Sequence, residues 1–154
     1  MTEAKKQAGS TAAGFSAEER AAMKQRAAEL KAEARRSSGA EKAAAAEEAV
    51  MAKIAGMQEP DREMAERLHA IVTKAAPELT PKLYYGQPGW AKDGKVIVFF
   101  RSGIDDKARY STLGFSVSAS LDDDSGWWPT SYALKHITND SAELIARLVR
   151  AAVR

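Results

Sequence analysis

The spacing of apolar residues changes from helical to strand period near Lys82 and back to helical after Ile137. Between Pro60 and Pro77, Met64, Leu68, Ile71, Val72 and Ala75 recur at three- and four-residue intervals, which places them on one stripe of a helix. Pro60-Asp61 marks its start. It is predicted to end before Pro77, because the residue preceding a proline is pushed out of the helical region. From Lys82 the period shortens to that of strands, read at 82–85, 90–91, 95–101, 109–115, 116–121 and 131–137. The turn residues Asp93-Gly94 lead into the apolar run Val96-Ile97-Val98-Phe99-Phe100. Thr138, Asn139 or Asp140 then caps a closing helix that buries Leu144, Ile145, Leu148 and Val149.

Ahead of this pattern the chain is dominated by alanine. Residues 1–14 offer no large apolar side chain after Met1 and read as a disordered tail. Ser16-Ala17-Glu18-Glu19 fits a capping box with Phe15 as staple, and opens a helix expected to run to about Arg36. Ser37-Ser38-Gly39 is expected to stop it. A second Ala-rich helix over 40–55 carries Val50, Met51 and Ile54 near its end, and Gly56 closes it. Residues 15–56 thus read as a helical arm before a domain at 57–154.

Strands joined by short connections must be mainly antiparallel, since a parallel crossover needs a dozen or more residues. The expected fold is α+β: a two-layer sandwich in which N- and C-terminal helices cover one face of an antiparallel sheet of four to six strands, preceded by the arm. The other sheet face is expected to be partly open.

Composition narrows the chemistry. No cysteine is present, which excludes disulfides, thiolate catalysis and Cys-built metal sites. Residues 1–56 carry ten Lys/Arg against eight Asp/Glu and residues 57–154 thirteen of each, so no concentrated basic face points to nucleic acid. No apolar run approaches the roughly 20 residues of a membrane span, and no apolar signal core follows Met1. A cytoplasmic protein is the expectation. Two histidines without a nucleophile elbow, a phosphate-binding glycine loop or an HExxH motif give no case for catalysis.

The series Tyr85-Gly86-x-Pro88-x-Trp90, Phe99-Phe100, Arg109-Tyr110-x-Thr112-Leu113-Gly114-Phe115, Leu121-Asp122-Asp123 and Trp128-Pro129 resembles the YdhG-like domain of unknown function. The resemblance covers about residues 47–153. It implies a frataxin-like fold and, since some members are described as iron chaperones, weak iron binding and delivery to a recipient protein. The implied donors are exposed carboxylates on the first core helix and the nearby sheet edge.

Here Glu59, Glu63 and Glu66 share a broad outer stripe with His69, and Glu66-x-x-His69 has the spacing of helix-borne iron ligands. Arg62 and Arg67, each four residues from a glutamate, fit equally well an ordinary salt-bridged solvent face. Asp122, Asp123 and Asp124 form a second acidic group, on a predicted turn and without calcium-loop spacing. An alternative is a ligand- or peptide-binding module using aromatic residues of the sheet. Tyr85, Trp90, Tyr110 and Trp128 are its candidate residues, beside Arg101 and Arg109, with Tyr84, Trp127 and Tyr132 in the same region. A third expectation is self-association through the arm.

Overall fold

The structure is a computed structural model, and it describes residues 14–154. The tail expected at 1–14 therefore lies, except for Gly14, outside the described residues. Helix α1 spans Ala17–Ala55 without interruption, which corrects the expected break at Ser37-Ser38-Gly39. A glycine inside a helix costs about 1 kcal/mol, whereas stopping and restarting requires a second nucleation that is unfavourable by a factor of about a thousand. With alanine-rich sequence on both sides and no proline, continuing is cheaper. Ser16 does cap the helix, its Oγ accepting from the Glu19 amide at 3.1 Å. A Cβ at Gly39 would meet nothing within 4 Å. Gly39→Ala is accordingly expected to stabilise the helix by about 1 kcal/mol and to raise its melting temperature in circular dichroism; a lower one would contradict a continuous helix at this point.

Two compact units divide at Glu41/Lys42. In the first, α1 exposes its two large apolar residues, Met23 and Leu30. The second, Lys42–Arg154, holds the core, to which the end of α1 contributes Val50 and Ile54.

Helix α2, Asp61–Ala75, buries Met64, Ala65, Leu68 and Val72, close to the stripe read from sequence. Five strands follow: β1 Thr80–Tyr84, β2 Gln87–Lys92, β3 Lys95–Arg101, β4 Ser111–Phe115 and β5 Ser131–Leu134. They form one antiparallel sheet in the order β1-β2-β3-β4-β5. Helix α3, Asn139–Ala152, is capped by Thr138, whose side chain accepts from the Ser141 amide while Ser141 returns a bond to the Thr138 amide. The Arg67 guanidinium ties α2 to the β5–α3 connection by donating to the Ile137 carbonyl and to Asn139 Oδ1.

The expected strand at 116–121 is not formed. Instead the chain turns: Ser116 N bonds Ile97 O, Ser120 N bonds Ala152 O, and Val117 points fully into solvent. The last two strands also begin or end short of expectation, since 109–110 and 135–137 lie outside β4 and β5.

Register separates the two sheet faces. Trp90 pairs with Val98, Val98 with Phe115, and Phe100 with Leu113; these residues join one buried cluster with the apolar residues of α1, α2 and α3. A bulge where Trp90↔Val98 shifts to Ala91↔Val96 adds one residue to β3. It sends Ile97 to the helix side with Val98 and turns Val96 to the opposite face, against Gly89. The opposite face carries Lys82, Tyr84, Gly89, Val96, Phe99, Gly114 and Ser131, as the pairs Lys82↔Gly89↔Phe99↔Gly114↔Ser131 require.

Candidate ligand-binding face and its clamped loop

On that opposite face an aromatic row crosses the strands. Tyr85 and Tyr84 meet edge to face with ring centroids 4.6 Å apart, and Tyr84 and Phe99 lie 4.9 Å apart at a 40° tilt. The row needs two glycines. A Cβ at Gly114 would enter the Phe99 ring, and one at Gly89 would come within 2.8 Å of the Lys82 carbonyl oxygen and 3.1 Å of Tyr84 Cβ. Without a side chain at Gly114 the Phe99 ring lies down on the backbone of β4, and at Gly89 the space is taken by the Lys82 carbonyl, Tyr84 Cβ and Val96. Tyr85, at φ 47° ahead of Gly86 at φ 76°, sits at the tip of the β1–β2 turn and is 82% exposed. Tyr84 and Phe99 are half-buried beneath and beside it.

Only part of this was visible in the sequence. The Tyr85 ring meets Tyr84 at the edge of this face, and Phe99, which the sequence pattern shows only as part of an apolar strand, lies on the other side of Tyr84. Trp90, named as a ligand contact, is corrected: it is 1% exposed on the helix side, where its indole N–H donates to His69 Nδ1 at 3.1 Å. Trp128 is half-buried beside an exposed Trp127 in the turn before β5. Arg101 is held by Asp106 through two bonds of 3.0 and 2.9 Å. The Asp106 carboxyl is pulled below its usual range by that contact, and Arg101 is raised in turn. Arg109 lies against the Tyr110 ring, 4.9 Å from its centroid, on the helix side of the sheet.

The acidic helix resolves into separate partnerships. Glu59 Oε1 accepts from Arg62 Nε at 2.7 Å and Glu59 Oε2 from the Glu63 amide at 3.3 Å. His69, read as exposed, is half-buried, and a neutral ring accepting at Nδ1 carries its proton on Nε2. Neither ring nitrogen then offers a lone pair to a metal unless the Trp90 bond is given up. Glu63 and Glu66 are exposed. Among Asp122, Asp123 and Asp124, all exposed, Asp123 is engaged by Ser125, whose bonds lower its carboxyl pKa. Among the described residues no three His, Asp or Glu side chains gather into a group able to hold a metal ion.

A polar cluster that sequence reading missed fixes the loop between β3 and β4. Asp61, at the first turn of α2, is 3% exposed and accepts from Ser102 Oγ at 2.5 Å, Ser111 Oγ at 3.0 Å and the Ile104 amide at 3.2 Å. Ser111 Oγ in turn accepts from the Gly103 amide at 2.9 Å, and Ser102 Oγ from the Asp105 amide at 3.1 Å. Buried Gln87 extends the cluster, taking the Ser102 amide at 3.3 Å and donating to Asp105 at 3.0 Å. The Asp105 carboxyl is pulled below its usual range first by Gln87 and then by the Lys53 ammonium, 2.9 Å away. A carboxyl lowered on folding stabilises the fold above the ordinary carboxylate range, and this contribution fades as pH falls through the folded value. Both Asp105 and Asp106 are exposed, so solvent keeps it small. The only signal for the cluster in the sequence is two serines at positions flanking apolar strands.

Comparison with protein-family models gives no match, and neither curated proteins nor solved structures match the chain. What stands is a small α+β domain with an antiparallel sheet. No helix among the described residues is long and apolar enough to cross a membrane.

Proposed function

We propose that this domain is a non-enzymatic binding module that lays an extended peptide or a flat, ring-bearing ligand across its aromatic sheet face. The observation that carries this reading is the contiguous row Tyr85, Tyr84 and Phe99 on the side of the sheet facing away from the helix-packed core. Rigid aromatic side chains supply contact area at low entropic cost, and tyrosine adds a hydrogen-bonding tip. The shelf is preformed, because Gly114 lets the Phe99 ring rest on backbone and Tyr84 packs against that ring.

The resemblance to the YdhG-like, frataxin-like group implies a helix, an antiparallel sheet and a helix in this order, the order this chain has. Iron delivery, which that resemblance implies, gains no support from the donors: Glu59 is paired with Arg62 and His69 with Trp90.

The test is a display selection of peptides on the full chain, followed by affinities for variants. Tyr85→Ala combined with Phe99→Ala is expected to weaken the selected peptide by at least about tenfold, in the range of a partial hot spot. Unchanged affinity in the double variant would remove the face from the account.

A further inference from the structure

The β3–β4 loop closes over the start of α2 and leaves a cleft of about 290 Å³ on the helix side of the sheet. We propose that this cleft is a second, separate ligand site, and that it takes a small organic carboxylate with an apolar body. Its walls are Met64, Ile104, Leu134 and the Tyr110 ring, and Arg109 and Lys135 stand in the same lining. Ile104 and Tyr110 are among the large apolar residues that remain exposed. Neither Arg109 nor Lys135 is in an ion pair among the described residues.

The arrangement selects for both halves of such a ligand. Arg109 is stacked on Tyr110, so its guanidinium is held in place for a carboxylate, which it can meet with two parallel bonds. The inner wall holds buried Asp61, both of whose oxygens are already used by Ser102, Ser111 and the Ile104 amide. Its negative charge disfavours an anion at the bottom of the cleft without competing for the two cations. The ligand is thereby oriented, with its apolar end inward on Met64 and Leu134 and its carboxylate outward at Arg109 and Lys135. The volume lies at the lower limit of the usual range for small-molecule sites, about 300 to 1,000 Å³, which restricts the ligand to a compact one. The clamp centred on Asp61 fixes the wall that carries Ile104, so little ordering is required on binding.

The experiment is an amide-resolved NMR titration of the full chain with 3-phenylpropionate and, separately, with its uncharged amide. The acid is expected to give saturable shifts at Ile104, Tyr110 and Lys135, with affinity at least about tenfold higher than the amide. Arg109→Gln combined with Lys135→Gln, both exposed positions, is expected to abolish that preference. Equal affinity for acid and amide, no saturable shift at these residues, or a preference that survives the double substitution would overturn the proposal. Shifts centred instead on Tyr84, Tyr85 and Phe99 would also overturn it, by assigning the compound to the open face.

Discussion

Asp61→Ala is expected to destabilise the domain by about 3–5 kcal/mol, the scale of breaking a buried polar network. The substitution removes the acceptor for Ser102 Oγ, Ser111 Oγ and the Ile104 amide together. A buried donor left without a partner costs about 1–3 kcal/mol, and the three are not additive because the loop can relax and admit water. Asp61→Asn keeps the shape and one acceptor oxygen, and the serine hydroxyls can rotate to meet its amide. About 1–2 kcal/mol is expected for it. Urea unfolding of both variants checks the order. A midpoint for Asp61→Ala within error of the unchanged protein would mean that the carboxylate is dispensable to the loop.

The second large effect is expected at Gly103→Ala, about 2–4 kcal/mol by overpacking. A Cβ there would run into the carbonyl of Tyr110 and lie 3.0 Å from the Ser111 amide nitrogen. These are backbone atoms at the entry to β4, so they cannot swing aside as the end of a side chain can. Moving them also strains the bond from the Gly103 amide to Ser111 and, through it, the Asp61 cluster. Gly114→Ala is the informative control: its obstacle is the Phe99 ring, the movable end of a half-buried side chain. Its cost in stability is expected to be smaller, and its effect to appear as displacement of Phe99 from the aromatic row. Comparable unfolding midpoints for the two glycine variants would contradict this distinction.

The parts of the fold that were legible in the sequence are those specified by local periodicity. The stripe of Met64, Leu68 and Val72 and the run 95–101 became α2 and β3 because the same residues that favour the element also fill the core. Where local pattern and packing separate, the sequence does not specify the outcome. Val117, Ala119 and Leu121 alternate as a strand would, yet Ser116 is the last residue to bond β3, and the chain then turns, with the Ala119 amide on the Ser116 carbonyl and the Ser120 amide on the Ala152 carbonyl. Trp90 and Phe99 lie on paired strands and are both aromatic, and alternation predicts that half of such residues are buried without saying which half. The bulge in β3 decides it for Ile97 and Val96. Asp61 looks like an ordinary first-turn acid of a helix; its role emerges only when 61, 102 and 111 meet across more than forty residues of chain. For His69, helical spacing places it near the glutamates, but only the tertiary fold supplies the indole that occupies its Nδ1.

The most direct measurement of the binding face is an aromatic carbon–proton NMR spectrum of the full chain, recorded with and without a peptide selected on it. The Tyr84, Tyr85 and Phe99 ring signals are expected to shift together and saturate, while the buried Trp90 ring stays in place. Saturable shifts confined to Trp127 and Trp128, with the Tyr84, Tyr85 and Phe99 rings unmoved, would contradict it.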